Sequence, residues 1–353
     1  MSPLLIYLVF GSPTYHAEAR FSIVSAIARA RQTPSLQLRI RVYTDDPVPY
    51  AGLPVELADF SSARRDALTA PIHYVFRAKH AILFEALEEV SAAVLIDTDT
   101  FFHHSPLRLF ERVMPGQLLC NALGPHYGGI REQPLYRLLA GTLQSKGLAD
   151  DGMRLTNSGV IGLTQADRGI LQQAMRLMDE YYVQSGQAYT LEEFTLAVSA
   201  RRAGLSLADC TDVIHHYWSR KKLFRAKVQA WNAKHGQQPL SEQALADTER
   251  VTDALPRPPT AIRLGYRLAT RALPGSCRQF VREILYGCYP YPNEFDAACA
   301  PVWWEKAFDN ALGRGADRAR VLRWLESHLI GTLLGKRRVE VRQYLKRYSE
   351  MIG

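Results

Sequence analysis

Two acidic residues separated by one position, Asp97 and Asp99, directly follow the short apolar segment 93–96. Such a segment is typical of a buried β-strand, so the pair is predicted to lie on the tight turn that ends the strand. Carboxylate oxygens are hard ligands that suit Mg²⁺ or Mn²⁺, and both ions usually keep positions open for substrate phosphates. A D-x-D pair also arises by chance, so the preceding strand is what favours a metal site over two unrelated surface acids.

A second candidate region is 213–222, where His215 and His216 close an apolar pair and basic residues follow. An imidazole at the end of a strand can be the third ligand of a divalent cation, and Mn²⁺ tolerates nitrogen. The ammonium of Lys222 could neutralise a diphosphate. Taken alone, two structural histidines beside a solvated basic segment explain this region better.

Two polar segments between these regions carry side chains suited to a sugar. Asn157 offers both a hydrogen-bond donor and an acceptor, and Gly159 permits close approach of the backbone. Glu192 and Glu193 open a predicted helix, where acids often serve the helix dipole, although one could instead face a sugar. For each segment alone, an ordinary turn before a strand or a helix N-terminus is the favoured interpretation.

The elements that would position these residues alternate along the first two thirds of the chain. Apolar runs predict buried strands, and apolar spacing of three to four predicts helices. This alternation predicts an α/β, Rossmann-like fold whose mainly parallel mixed sheet is flanked by helices. Such sheets bind ligands at the carboxyl ends of their strands, where Asp97 and Asp99 fall. The strands are predicted at 4–10, 38–44 and 93–96, and the helices at 17–31 and 74–89.

The character of the sequence changes after about residue 225. Residues 237–260 are polar and contain four prolines, and residues 261–353 are rich in Arg, Leu and Ala at helical spacing. Basic residues far outnumber acids in 314–347. We therefore expect a catalytic domain at 1–235, a linker or surface excursion at 236–260, and a basic helical C-terminal subdomain at 261–353.

The overall composition limits the class of protein. The 353 residues are 47% hydrophobic, enough for a large buried core. A net charge of +8 fits an arginine-rich surface, an anionic ligand, an anionic membrane or nucleic acid, but no nucleic-acid recognition motif is present. The five cysteines form no C-x-x-C pair, which indicates reduced thiols. The apolar N-terminal segment lacks a basic leader, and no apolar run could span a bilayer. We expect a cytoplasmic protein, with peripheral contact to the inner face of the membrane.

The order of these segments resembles the glycogenin-like, family-eight glycosyltransferases, which have a glycosyltransferase A-type fold. That family has a base-stacking Tyr after the first strand, a Lys on the helix before the D-x-D, then Asn-(Ala/Ser)-Gly-Val, Asp-Gln, and His-(Phe/Tyr)-x-Gly-x-x-Lys-Pro-Trp. The resemblance covers residues 4–225. The matching positions here are Tyr15, Lys79, Asp97-Thr98-Asp99, Asn157-Ser158-Gly159-Val160, Glu192-Glu193, His216-Tyr217 and Lys222.

This chain departs from the family pattern at three places. Ser219 replaces the glycine after the histidine, and Leu223-Phe224 replaces Pro-Trp. Glu192-Glu193 replaces Asp-Gln, which affects the catalytic and acceptor-side assignment most.

The resemblance implies a metal-dependent hexosyltransferase. It would move a sugar from a nucleotide-diphosphate donor, expected to be a UDP-sugar, to an unidentified glycan, lipid-linked or protein acceptor with retention of configuration. Mn²⁺ or Mg²⁺ would be held by Asp97, Asp99 and His216. Donor contacts would come from Phe10, Gly11, Tyr15, Arg77, Lys79, Thr98 and Lys222.

The same resemblance places Asn157, Glu192 and Glu193 at the sugar and the acceptor. Retention through a covalent ester would need a carboxylate below the anomeric carbon, and Glu193 is the nearest candidate by position. Attack on the same face, assisted by the leaving phosphate, would need none. The sequence leaves both routes open.

Two other functions compete with sugar transfer. Phosphatases of the haloacid-dehalogenase type also use a D-x-D after a strand, but they want Thr or Val two residues later, where this chain has Phe101. A non-catalytic protein is the second alternative. In it, the basic segment 314–347 would bind a partner or an anionic membrane surface on an inactive scaffold.

Overall fold

The computed structural model describes residues 3–31 and 38–352, which belong to two compact units. The first unit comprises Met1–Trp218 and Gln238–Thr248, and the second comprises Ser219–Gln237 and Glu249–Gly353. Part of the segment expected to end the catalytic domain therefore belongs to the second unit.

A mixed, mainly parallel sheet forms the centre of the first unit. In order across the sheet, its seven strands among the described residues are β3 Glu56–Asp59, β2 Arg39–Thr44, β1 Leu4–Val9, β4 Ala92–Ile96, β7 Arg154–Thr164, β6 Gln117–His126 and β8 Ser206–Ala208. The pairs within β3-β2-β1-β4 and the β6-β8 pair are parallel, whereas β7 runs antiparallel to both β4 and β6. Two further strands among the described residues, β5 Thr100–Phe102 and β9 Ile214–His216, lie outside this sheet.

Helices flank this sheet, and their apolar faces fill its core. Leu4, Ile6 and Leu95 from the sheet pack with Ile82 and Leu83 from a helix, all of them buried. The predicted Rossmann-like sheet with flanking helices is thus confirmed. The helices of this unit are α1 Pro13–Ala30, α2 Ser62–Thr69, α3 Arg77–Glu89, α4 Leu107–Phe110, α5 Pro134–Ser145, α6 Gly169–Tyr181 and α7 Leu191–Arg202, together with Glu242–Thr248.

The first helix begins four residues before the apolar pattern predicted. The Oγ of Ser12 accepts a hydrogen bond from the amide of Thr14 at 3.2 Å and caps the helix. Pro13 occupies the first turn, where its missing N–H costs nothing. Tyr15 therefore lies in the first turn of α1.

The strands β5 and β9 form a separate two-stranded antiparallel ribbon. In this ribbon Thr100 pairs with His216 and Phe102 pairs with Ile214. The pairing brings a segment from more than a hundred residues later against the turn that contains Asp97 and Asp99.

The second unit is helical over its described residues, as predicted for the C-terminal region. Buried residues recur every three to four positions along its central helix, as in Trp304, Ala307, Phe308 and Ala311. Its helices are α8 Lys221–His235, α10 Thr260–Ala269, α11 Arg278–Cys288, α12 Glu294–Ala297, α13 Ala300–Leu312, α14 Arg318–Trp324, α15 His328–Leu334 and α16 Arg338–Met351. The remaining helix, α9 Glu242–Thr248, belongs to the first unit.

The predicted linker at 236–260 contains helix α9 of the first unit. Helix α9 buries Ala244 and Asp247 and packs against α1 within the first unit. Helix α8, by contrast, packs against α12 and α13 within the second unit. None of the helices in the described parts of the chain has the length and apolar character needed to cross a bilayer.

A fully buried lysine on α8 anchors the segment that precedes α10. The Nζ of Lys227 donates to the carbonyl of Thr252 at 3.0 Å, to the carbonyl of Ala254 at 3.0 Å and to Asp296 Oδ1 at 2.8 Å. A buried ammonium needs such partners, because burial without them would cost several kcal/mol.

Replacement of Lys227 by Met should therefore destabilise the second unit by about 3 kcal/mol, because it leaves two carbonyls and Asp296 without their donor. Replacement of Lys234 by Met on the same helix should cost less than about 1 kcal/mol, because its pair with Glu294 is exposed. Urea unfolding followed by tryptophan fluorescence reports on this unit, since Trp303 and Trp304 lie in its core. Equal losses in the two variants would contradict the anchoring role.

Candidate functional site

Three acceptor groups converge at the turn between β4 and β5. His216 Nε2 lies 3.3 Å from Asp99 Oδ1 and 3.9 Å from Asp97 Oδ2. One ligand atom from each of the three residues lies within 4.8 Å of the other two. The three residues that the sequence nominated as metal ligands are therefore brought together.

Backbone hydrogen bonds build this arrangement from three segments. The amide of Asp97 donates to the carbonyl of Gly159 on β7 at 2.9 Å, and the amide of Tyr217 donates to the carbonyl of Asp99 at 3.0 Å. The first bond extends the pairing of β4 with β7, and the second extends the pairing of β5 with β9. The acids are thus held between the central sheet and the ribbon.

A chain of buried hydroxyl groups supports the turn from below. Thr100 Oγ1 donates to the carbonyl of Asp97 at 2.9 Å, which uses its one hydroxyl proton. Ser22 Oγ, 2.8 Å away, must then donate to Thr100, and Tyr7 OH must donate to Ser22 at 3.0 Å. This chain ties the turn to β1 and α1 and fixes the direction of the Asp97 carbonyl.

Asn157 determines which nitrogen of His216 carries the proton. Its Oδ1 lies 3.2 Å from the amide nitrogen of Gly159 and 3.0 Å from His216 Nδ1. A backbone N–H can only donate, so the atom that faces it is the amide oxygen, an acceptor. His216 Nδ1 must therefore donate to the same oxygen. In the neutral imidazole, the lone pair is then on Nε2 and faces the two aspartates.

Such a convergence of lone pairs is unfavourable unless a proton or a cation lies between them. Two carboxylate oxygens and an imidazole nitrogen form a mixed donor set that suits a divalent transition metal. Because Mg²⁺ prefers an all-oxygen environment, the nitrogen favours Mn²⁺ of the two ions predicted. The residues present therefore fit the metal that the resemblance implies.

Close packing of the His216 ring against β7 depends on Gly159. A Cβ atom at this position would lie 2.1 Å from His216 Nδ1 and 2.4 Å from Cε1. These distances are far below van der Waals contact, so the ring would have to move. The sequence interpretation of Gly159, close approach of the backbone, is consistent with this contact, although the approaching group is a ring of the chain itself.

Lys79 lies beside the acids as a buried cation. Its Nζ is 2.6 Å from Asp97 Oδ1 and 3.8 Å from Glu192 Oε1. Burial disfavours the charged ammonium, but the attraction of Asp97 and Glu192 outweighs it, so the pKa of Lys79 is raised. The ammonium therefore stays charged and offsets part of the negative charge of the cluster.

The two glutamates at the start of α7 face β7. Glu192 is buried, and its Oε2 accepts a hydrogen bond from Ser158 Oγ at 2.8 Å. Burial raises the pKa of Glu192 to about 7 against the opposing effect of Lys79. Glu193 Oε2 accepts from the amide of Ser158 at 3.4 Å, and burial also raises the pKa of Glu193. Both side chains accept hydrogen bonds from Ser158, next to Asn157, so they do more than interact with the dipole of α7.

Sequence reasoning did not nominate two residues beside Glu192. Tyr74 OH accepts from the amide of Glu192 at 3.2 Å and donates to the carbonyl of Tyr189 at 2.7 Å. His80 Nε2 lies 3.7 Å from Glu192 Oε1, and burial lowers the pKa of His80 to about 3, so the ring is neutral. The signal for His80 was its position next to Lys79 on an otherwise apolar helix face.

The predicted donor contacts near the N-terminus occupy the end of β1 and the start of α1. The ring of Phe10 packs against Phe60, with centroids 5.1 Å apart. Gly11 has a positive φ of 84°, and its amide donates to Asp45 Oδ2 at 2.8 Å. Tyr15 is exposed. Their contact with a nucleotide stays a prediction.

The other predicted donor contacts are placed in different surroundings. The guanidinium of Arg77 pairs with both carboxylate oxygens of Asp179, at 2.8 and 3.1 Å. Thr98 is half-buried between the two aspartates of the turn. Lys222 belongs to the second unit, where its Nζ lies 2.6 Å from Glu305 Oε2 and 3.1 Å from Tyr348 OH. A role for these three residues in donor binding likewise stays a prediction.

Comparisons with known proteins give only partial likenesses. No protein-family model and no curated protein sequence matches this chain. Among solved structures, mouse xyloside xylosyltransferase 1 has 14% identity and a TM-score of 0.42, covering 60% of this chain and 86% of its own. The galactosyltransferase LgtC, solved with donor and acceptor sugar analogues, has 13% identity and a TM-score of 0.42, covering 72% and 97%. The bifunctional glycosyltransferase WbbM has 14% identity and a TM-score of 0.37, covering 59% and 38%.

Proposed function

We propose that this chain is a glycosyltransferase that binds a nucleotide-diphosphate sugar through a divalent cation held by Asp97, Asp99 and His216. The observation that carries this proposal is the convergence of the three acceptor groups, with His216 held in the tautomer that presents Nε2. The order of the surrounding segments, which resembles the glycogenin-like glycosyltransferases, supports a sugar donor.

A divalent cation would offset the negative charge of the site, which would otherwise repel an anionic ligand. Asp97 and Asp99 with the ammonium of Lys79 leave one net negative charge, to which the nearby carboxylate of Glu193 adds, and a divalent cation would offset this excess. A bound divalent cation would neutralise the negative charge that grows on a leaving diphosphate. Lys79 holds Asp97 in place and limits the repulsion between the two acids.

On the sugar side, we propose that Glu192 and Glu193 orient the transferred sugar and the acceptor. With its pKa near 7, Glu192 is partly protonated at neutral pH, so it can donate as well as accept a hydrogen bond. Glu193 is the carboxylate we propose for a covalent route with retention. Its proximity to Lys79, Asp97 and the imidazole of His216 supports this assignment. We propose a UDP-sugar as the donor, with Mn²⁺ as the metal.

The donor is best identified by thermal stability in the presence of nucleotide sugars. We expect a UDP-sugar to raise the melting temperature in Mn²⁺ and to do so much less in EDTA. Ligand at 100 times its Kd stabilises the folded state by about 2.7 kcal/mol. Equal stabilisation in EDTA would contradict the metal bridge. Hydrolysis of p-nitrophenyl phosphate without nucleotide-sugar binding would favour the phosphatase alternative.

Replacement of Asp99 by Asn should remove one ligand while the size of the side chain is kept. Loss of a residue that only hydrogen-bonds to a metal ligand typically lowers the affinity for the metal by about 10–100-fold. We expect a larger fall in Mn²⁺ affinity here, measured by isothermal titration calorimetry, because a ligand itself is changed. Transfer from the identified donor should be lost. Asp66→Asn is a matched control, because Asp66 is exposed on α2. Unchanged Mn²⁺ binding in Asp99→Asn would exclude this site.

Replacement of Asn157 by Ala should weaken Mn²⁺ binding by about 10–100-fold, because His216 Nδ1 loses the acceptor that fixes its tautomer. Asn157→Asp keeps an acceptor at the same place and should retain more of the affinity than the alanine variant. If Asn157 only contacts the sugar, both variants should bind Mn²⁺ like the original chain and differ only in transfer.

A further inference from the structure

Helix α10 lies on the surface of the second unit with an uncovered apolar face. None of its ten residues is buried. Ile262, Leu264 and Leu268 are 39%, 54% and 50% exposed, and Tyr266 packs partly against the core of this unit. A helix of this length gains little stability in water on its own, so an additional apolar contact would stabilise it.

The apolar and basic residues of α10 occupy adjacent strips. Leu264 and Leu268 are one turn apart, and Ala261 lies on the same side of the helix. Arg263 and Arg267, also one turn apart, form the neighbouring strip. The helix therefore presents a row of aliphatic side chains bordered by guanidinium groups.

The segment around α10 is basic without compensating acids. Between residues 254 and 282 the sequence contains no Asp, Glu or Lys but six arginines. By contrast, the basic segment 314–347 pairs Arg342 with Glu326 and Arg337 with Glu340. Within the described ranges, no carboxylate lies within ion-pair distance of any of the six: Arg257, Arg263, Arg267, Arg271, Arg278 and Arg282.

We propose that residues 257–271 bind the surface of a bilayer that contains anionic lipids. Exposed leucines beside arginines match the pattern of a helix that lies in the membrane interface. Guanidinium groups pair well with phosphate oxygens, and each basic residue near an anionic surface adds about 1 kcal/mol of attraction. A protein partner fits less well, because the exposed strip of Ala261, Leu264 and Leu268 carries no aromatic anchor of the kind that dominates protein interfaces.

Vesicle flotation with the full chain tests this proposal. The probes are large unilamellar vesicles of phosphatidylcholine alone and of phosphatidylcholine with phosphatidylglycerol in a ratio of about 7:3. We expect binding to the anionic vesicles and at least about tenfold less to the neutral ones. High salt should weaken this binding, because it screens charges at a solvent-exposed surface. Equal binding to both vesicle types, or to neither, would overturn the proposal.

Two double variants test the apolar strip and the basic strip of α10. Leu264→Glu with Leu268→Glu should reduce binding to anionic vesicles at least about tenfold, because two exposed aliphatic groups that would enter the membrane interface become charged. Arg267→Gln with Arg271→Gln should reduce it by about 30-fold at low salt, since two phosphate-facing charges are removed. All four positions are exposed, so far-UV circular dichroism should show an unchanged fold.

The matched control places the same two charges on other exposed aliphatic residues. Val48 and Val183 are 75% and 78% exposed in the first unit, and Val48→Glu with Val183→Glu should leave vesicle binding within about twofold. If the leucine variant binds vesicles like the original chain, the proposed helix is not the contact. A dimer in light scattering that the leucine variant loses, without vesicle binding, would assign the face to a second copy. None of these variants changes a proposed metal ligand, so Mn²⁺ binding should be the same in all of them. Measuring it tests the sugar-transfer proposal separately.

Discussion

The candidate site depends on one electrostatic constraint, the gathering of two carboxylates and an imidazole lone pair in a small volume. Lys79 relieves part of the repulsion by pairing with Asp97 at 2.6 Å. The hydrogen bond from His216 to Asn157 keeps the proton away from the acids. Because these contacts leave an excess of negative charge among acceptors that face one another, a divalent cation between them would stabilise the arrangement.

Much of the fold could be predicted because its signals are local. Buried strands such as β1 and β4 appear as continuous apolar segments, and the turn after β4 follows from where the apolar run stops. The C-terminal helices were likewise visible in their apolar spacing. What the sequence could not place is α9 within the first unit, because its packing against α1 depends on residues far away in the chain.

Parts of the site depended on pairings that no local pattern contains. Sequence alone could not exclude His215 as the ligand. The register of β5 with β9 decides it, since His216 faces Asp99 while the ring of His215 packs on Phe101. Asn157 was predicted to contact the sugar, and only the structure places its side-chain oxygen against His216. The burial of Lys227 was equally hidden, since it depends on two carbonyls that belong to another segment.

The antiparallel ribbon of β5 and β9 has a consequence for biosynthesis. The first acid of the pair is synthesised well over a hundred residues before the imidazole that completes the triad, and the ribbon joins them only after both have left the ribosome. A nascent chain that ends before residue 216 therefore carries the two aspartates without the imidazole that lies beside them in the folded unit. The three side chains therefore come together only late in the synthesis of the first unit.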